Sequence, residues 1–342
     1  MGESIEMRNI RTEQEIMQHW KGGTTAPLVS ICCITYNHEP YIEDALEGFL
    51  IQRTDFPFEI LIHDDASTDR TADIVREYKS EYPTIIKTLC QTENQYSRGE
   101  KPNLIAMQMA SGKYLAICEG DDYWTDPQKL QIQVSFLENN PGFVLSGHDA
   151  FDIDEHGNRI SDSVLSATYK RDASSEDLIY GRARFATMTM VYRNVLAAEA
   201  IPERRMIVSG DLFATSLLGN YGKGKYHHEI APAAYRRHSG GIWSMQPEKI
   251  KRDNGLNSEF WIYRYYDRVG QKAVATAWLN RWECIAIKRM SYRNICKNVG
   301  KRMISQMIIM ITKIAMKSGY GKRLKEWLGE SRVQKIKTIL GP

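Results

Sequence analysis

Residues 28–35 read LVSICCIT, and Tyr36-Asn37-His38-Glu39-Pro40 follows without a break. An uninterrupted apolar and β-branched run of this kind marks a strand buried on both faces, the situation of a central strand in a parallel sheet. Pro40 then opens a helical pattern in which Ile42, Leu46, Phe49 and Leu50 share one stripe. A second strand, Phe58 to His63, ends in Asp64 and Asp65, and Asp69 stands as an N-cap before a helix carrying Ile74, Val75 and Tyr78. Strand Ile85 to Cys90, helix Asn103 to Ala110 and strand Tyr114 to Cys118 continue the alternation. The pattern predicts an α/β fold with a mostly parallel sheet and helices on both faces. Beyond Asp122 the reading is helix Pro127 to Asn139, strand Phe143 to Ser146, a turn-rich stretch at Asp154 to Asn158, strand Phe185 to Tyr192, helix Asp211 to Leu218 and a strand pair within Lys225 to His238. From Glu248 onward the pattern is helical and basic.

The chain has 342 residues, of which 42% are hydrophobic and 25% charged, the balance of a globular protein with a sizeable core. Its formal net charge of +3 hides an asymmetry: Lys288 to Pro342 holds fourteen Lys and Arg against Glu326 and Glu330. The six cysteines show neither disulfide nor zinc spacing. The charged N-terminus lacks the apolar core of a signal peptide, and Met303 to Met316, the longest apolar run, is broken by Ser305, Gln306, Thr312 and Lys313. A cytoplasmic protein is expected.

In a doubly wound sheet, ligands bind beyond the carboxyl ends of the strands. Three polar clusters sit at such ends: Thr35-Tyr36-Asn37-His38, Asp64-Asp65-Ala66-Ser67-Thr68-Asp69 and Glu119-Gly120-Asp121-Asp122. One such cluster is commonly a helix cap; three in succession point to a site. The turn after the first strand holds no glycine, which argues against a dinucleotide-binding fingerprint, and no GxxxxGK[ST] loop exists. Phosphate is then best handled through a cation, and Asp121 with Asp122 offers carboxylates for Mg²⁺ or Mn²⁺. Gly120 would let a bulky ligand approach the backbone.

The order TYN, DDASTD and GKY-x₄-EGDDYW, at residues 35–37, 64–69 and 112–124, resembles family 2 of the glycosyltransferases, over about Pro27 to Trp243. The resemblance implies a GT-A fold, a Rossmann-like sheet, and an inverting transferase that moves a sugar from a nucleotide-sugar donor, UDP-linked by family frequency, to a glycan or lipid-linked glycan. It carries Thr35, Tyr36, Asn37 and Asp65 over to nucleotide binding, with Tyr36 stacking on the base. Asp121 maps to the ribose and metal side of the DxD motif, and Asp122 to the metal. The motif's first acid is Glu119 here instead of Asp, which puts direct metal contact by Glu119 in doubt.

An inverting reaction needs a carboxylate base, and Ser209-Gly210-Asp211-Leu212-Phe213 is the segment that resembles the family's base motif, with helix capping the rival role for Asp211. Tyr235 to Trp243 resembles the late segment that closes over the diphosphate, so Arg236, Arg237 and His238 are expected phosphate contacts. Trp124 either walls the sugar pocket or packs. His227 and His228 have no carboxylate partner at ligand spacing and read as a strand pair. The expected organisation is an extension over 1–26, a transferase domain over 27–245 divided near residue 125 into nucleotide-sugar and acceptor halves, and a basic helical region over 246–342. Within 301–342 an apolar stripe between lysines suits either peripheral contact with an anionic membrane or packing on the domain. Two other classes compete: a sugar nucleotidyltransferase, which would carry a Gly-rich, Arg-containing loop after the first strand, and a non-catalytic nucleotide- or sugar-binding protein, which would be expected to lose the carboxylates. No nucleic-acid-binding motif accompanies the basic charge.

Overall fold

The computed structural model of the chain describes residues 11–21, 26–196, 201–241 and 246–289, with side chains to 286. After a short helix α1 (Glu13–Met17), strand β1 (Val29–Thr35) forms the axis of the fold, buried at every position except the half-buried Ile34. It pairs in parallel with β2 (Phe58–Asp64), which pairs in parallel with β3 (Ile86–Cys90). On its other side β1 pairs in parallel with β4 (Tyr114–Ile117).

Successive β1 residues point to opposite faces, and both faces are covered. Val29, Ile31 and Cys33 join a core with Leu46 and Phe49 of α2 (Ile42–Leu50) and Ile74 and Val75 of α3 (Thr71–Glu81). Cys32 faces the other way, into a core with Leu61, Leu115 and Ala106 of α4 (Pro102–Gln108). Helix α5 (Lys129–Asn139) closes the first face through Leu130, Val134 and Leu137.

The main sheet has seven strands in the order β3-β2-β1-β4-β8-β5-β9, where β5 is Phe143–Gly147, β8 is Val191–Arg193 and β9 is Lys223–Tyr226. Strand β8 is antiparallel to both neighbours, whereas β5 and β9 are parallel. A second, three-stranded sheet runs β10-β6-β7, with β6 Ala150–Ile153, β7 Arg159–Ser161 and β10 Ala233–Arg236. Helices α6 (Ser175–Ile179), α7 (Gly210–Leu218), α8 (Glu248–Arg268) and α9 (Lys272–Arg289) complete the α-helices among the described residues. Phe213 and Leu217 of α7, Ile262 and Tyr266 of α8, and Trp278 of α9 extend the second core.

Residues up to Arg281 form one compact unit, and a second unit begins at Trp282. The basic stretch 301–342, with its membrane and packing alternatives, lies outside the described residues. No helix among the described residues is long and apolar enough to cross a membrane.

Two expectations about the second half are corrected. The run Phe185 to Tyr192 is strand only at its end; Thr187–Thr189 is a turn of 3-10 helix. The Met188 and Thr189 carbonyls accept from Trp124 Nε1 at 2.6 Å and Gln133 Nε2 at 3.0 Å, so side chains take the place of a neighbouring strand. The strands within Lys225 to His238 are not a pair, because β9 belongs to the large sheet and β10 to the small one. His227 lies just past β9, and its Nδ1 sits 2.7 Å from Glu229 Oε1, a carboxylate partner supplied by the loop.

Trp124 is fully buried and packs edge-on against Phe49, so it serves the core. Lys129 Nζ lies 3.9 Å above its ring, bonded to Gln133 Oε1 at 2.8 Å. Burial pushes the Lys129 amine down to about 7. Because the unfolded chain holds that proton up to about 10.5, the cost of burying the amine is full below about 7 and is relieved as pH rises between the two values. The unfolding free energy of the wild type should therefore climb with pH across this window relative to Lys129→Met. Parallel profiles in denaturant titrations of the two proteins would show that Lys129 is not the source.

Candidate active site

Since β1, β2 and β4 run parallel, their carboxyl ends open at one edge, and the three polar clusters meet there. The first two interlock. Asn37 and Ala66 take φ of 53° and 63°, the left-handed region that Asn tolerates and Ala rarely adopts. The Asn37 N–H donates to Ser67 Oγ at 2.9 Å, and Asn37 Oδ1 accepts from the Thr68 N–H at 2.8 Å. Thus the Asn37 side chain ties the β1 loop to the β2 loop. The His38 N–H donates to Thr71 Oγ1 at 2.9 Å, while its carbonyl receives the Tyr41 and Ile42 N–H groups where α2 begins.

Asp65 is buried, and its two oxygens accept from the Gln95 and Tyr96 N–H groups at 2.7 and 3.0 Å, which folds the 94–99 loop over the end of β2. Tyr36 at 42% and Tyr96 at 51% exposure leave two aromatic faces open at this edge. Tyr96 was not legible in the sequence, because only the fold brings the β3 loop back to Asp65. Thr35 is buried, and among the described residues its Oγ1 has no hydrogen-bond partner. It packs on Gly120: a Cβ there would come within 3.0 Å of the Thr35 side chain and 2.9 Å of Ile42 Cδ1. A side chain at 120 would thus crowd Thr35 and Ile42, a packing reason for glycine that stands beside the expected approach of a ligand.

Asp121 Oδ2 lies 2.9 Å from His238 Nε2 and 3.9 Å from His38 Nε2. Asp122 is buried, and its Oδ1 accepts the Arg236 N–H at 2.8 Å. Burial, then repulsion from Asp121 and Glu119, pushes the Asp122 carboxyl well above the usual carboxylate range. Glu119 is pushed up to about 7, by burial and then by Asp121. Burial acts on Asp121 in the same sense, but the His238 hydrogen bond and the two imidazoles overcome it and bring Asp121 below its ordinary value. Burial pushes the His38 imidazole below its ordinary value.

The late segment is divided in its roles. Arg236 is buried, so it is not the open phosphate contact its position suggested. Its Nη2 donates to Asp44 Oδ2 of α2 at 2.6 Å, its Nε donates to the Asp121 carbonyl at 3.0 Å, and its guanidinium lies 4.7 Å over the Tyr41 ring. This arginine fastens the Asp121-Asp122 loop between β10 and α2. Arg237 Nε donates to Asp152 Oδ1 on β6 at 2.6 Å, with the side chain 40% exposed. His238 is buried, its ring 4.8 Å from that of Tyr41.

Asp211 is the second residue of α7 and is exposed. The N-cap is Ser209, without a side-chain capping bond, so Asp211 is not the capping residue. Its charge helps to raise the Glu119 carboxyl, which sets the two within electrostatic reach.

The donor set fits a divalent transition metal. His38, Asp121 and His238 each present one ligand atom, and all three lie within 4.8 Å of one another. Two imidazoles with one carboxylate are ligands of that class.

Comparison with known proteins agrees with this architecture. Residues 30–198 match the family model described as Glycosyl transferase family 2. Uncharacterized protein Rv1520 of Mycobacterium tuberculosis is 38% identical over 220 residues, 63% of this chain and 60% of the relative's length. The chain thus spans about 60% of the length of that curated relative. The crystal structure of Staphylococcus aureus TarS 1–349 in complex with UDP-GlcNAc matches with a TM-score of 0.55 and 19% identity, covering 81% of this chain and 78% of that one. The mannosyltransferase PcManGT from Pyrobaculum calidifontis, in complex with GDP-Man and Mn²⁺, matches with a TM-score of 0.50 and 16% identity over 87% of this chain and 83% of that one. At such identities the two structures speak for the GT-A fold. With the family model spanning every strand from β1 to β8, this chain carries a glycosyl transferase family 2 domain.

Proposed function

We propose that the chain is an inverting glycosyltransferase that transfers a sugar from a UDP-linked donor to a hydroxyl of a glycan or lipid-linked glycan on the cytoplasmic side of the membrane. The observation that carries this reading is the meeting of Asp121 and His238, far apart in sequence, at 2.9 Å beside the end of β1. Asp211 lies within electrostatic reach of the same motif. The UDP-GlcNAc bound by the TarS structure supports a UDP-linked donor.

The exposed ring of Tyr36 stacks on the base, Thr35 and Asp65 frame the nucleotide, and Arg237 and His238 stand on the diphosphate side. Asn37 keeps the frame rigid and lends it its backbone. Asp121 is the carboxylate for Mn²⁺ or Mg²⁺; Asp122, expected nearest the metal, is instead buried with its Oδ1 on the Arg236 N–H, and stands behind it. A bound divalent ion supplies charge compensation for the leaving diphosphate. Asp211 takes the proton from the acceptor hydroxyl as its oxygen attacks the anomeric carbon opposite the leaving group. In this reading 27–125 is the nucleotide-sugar half, 126–245 the acceptor half, and 246–342 an accessory region.

Calorimetric titration with UDP tests the pocket. Tyr36→Ala should weaken UDP by about 1–3 kcal/mol, the scale of a stacked base. Asp65→Ala should cost a similar amount, because the 94–99 loop loses its anchor as well as any ligand contact. Unchanged affinity in both variants would remove the proposed base pocket.

A further inference from the structure

The donor set at the end of β1 has a feature that transfer of a sugar does not by itself require. His38 has no hydrogen-bond partner on either ring nitrogen among the described residues, and its Nδ1 is buried. A buried imidazole nitrogen without a partner is costly, so in a native protein the His38 Nδ1 calls for an explanation. The ring is not there by slack packing. Its backbone is fixed by the Thr71 hydroxyl and by the first amides of α2, and it packs edge-on against His238 with ring centroids 5.7 Å apart. His238 is held from behind by Tyr41, which in turn lies under the Arg236 guanidinium.

His38 Nε2 stands 3.9 Å from Asp121 Oδ2, too far for a hydrogen bond. Two ligand atoms each about 2.1 Å from one ion lie roughly 3–4 Å apart, which is the separation found here. His238 Nε2, at 2.9 Å from the same oxygen, fits a neighbouring coordination position. All three ligand atoms lie within 4.8 Å of one another, so an inward shift of the rings brings them onto one ion.

The geometry points to His38 as a third protein ligand, making a two-histidine, one-carboxylate site that binds a transition-metal ion such as Mn²⁺, Co²⁺ or Zn²⁺ in preference to Mg²⁺, and does so before the nucleotide arrives. The inference deepens the transferase reading and rests on it. A site of one or two carboxylates relies on the nucleotide's phosphate oxygens to complete the shell and accepts Mg²⁺, which favours oxygen ligands and keeps its waters. Two imidazole nitrogens shift the preference toward borderline metals, and three protein ligands on a fixed frame hold the ion without help. The remaining positions stay open for a diphosphate.

The test uses the full chain, stripped of metal, with Mn²⁺ as the probe and no nucleotide present. Titration followed by the loss of the free Mn²⁺ electron paramagnetic resonance signal gives the affinity. Pulsed resonance then counts the ¹⁴N couplings from bound imidazole. The expected result is Mn²⁺ binding without UDP, two imidazole nitrogens, and little displacement by a roughly 100-fold excess of Mg²⁺. His38→Gln should lower Mn²⁺ affinity by at least about 10-fold and leave one coupling, with an unchanged melting temperature. His38→Ala serves as the second variant, since it can place no ligand atom near the ion. Unchanged affinity or coupling count in both variants overturns the proposal, as does Mn²⁺ binding that appears only after UDP is added. In that last case UDP binding and sugar transfer persist, so the transferase reading stands while the third ligand falls. A chain that binds neither Mn²⁺ nor UDP overturns both.

Discussion

Replacing Asp211 by Asn is expected to lower turnover by about two to four orders of magnitude, the usual worth of a positioned general base, while donor affinity stays near the wild-type value. The substitution is nearly isosteric and falls on an exposed residue of the first turn of α7. Ser209 occupies the N-cap, and no side-chain capping bond depends on Asp211. Loss of the charge weakens only the favourable interaction with the helix dipole, so stability should change by about 0.3–1 kcal/mol at most. The two roles open to this residue therefore separate cleanly. A stable, donor-binding, almost inactive variant is the signature of the base. Near-normal turnover would leave Asp211 as a dipole-compensating side chain and nothing more. Product stereochemistry gives an independent check, because a single displacement driven by one base inverts the anomeric centre. An NMR spectrum showing retained configuration rules out this role for Asp211 even if the variant is dead.

Asp121→Asn is the second substitution with a large expected effect. Asp121 is the carboxylate that faces both imidazoles, with Oδ2 2.9 Å from His238 Nε2 and 3.9 Å from His38 Nε2, whereas Asp122 Oδ1 accepts the Arg236 N–H. The amide keeps an oxygen for the His238 hydrogen bond but removes the charge that a divalent ion needs. Transfer should fall by about three orders of magnitude, corresponding to roughly 4 kcal/mol of lost charge stabilisation in the transition state. The fold should survive, since the Arg236 bonds in this loop reach the Asp121 carbonyl and the Asp122 side chain, which the variant retains. Adding Mn²⁺ at high concentration should restore little. Transfer that proceeds at the wild-type rate, or wild-type transfer undiminished in EDTA, would exclude a metal at this position.

The sequence alone settles more of this protein than its length suggests, because much of the fold is written in local periodicity. A run such as Leu28 to Thr35 has few alternatives to a strand buried on both faces. The stripes in α2 and α3 likewise allow one inward face each. The parallel arrangement then places every strand's carboxyl end at one edge, so the clusters after β1, β2 and β4 had to converge.

What local pattern does not encode is which backbone groups are bonded by side chains and which by strands. The run Phe185 to Tyr192 reads as a strand. Trp124 and Gln133 instead take the Met188 and Thr189 carbonyls, and the chain turns.

The same limit applies to the site. Thr35, Tyr36, Asp65, Asp121 and Asp122 stand out in the sequence because each lies at, or a few residues past, the carboxyl end of a strand. The pairing of Arg236 with Asp44, the filling of the space above Gly120 by Thr35 and Ile42, and the approach of His38 to Asp121 do not. Each joins residues distant in the chain through loops whose course depends on bonds such as Asn37 to Thr68 and His38 to Thr71. Hydrophobic burial decides the strands and helices along the chain, one segment at a time. Hydrogen bonds and ligand distances are satisfied only after those segments have packed, so the chemistry of His38 and His238 belongs to the tertiary structure.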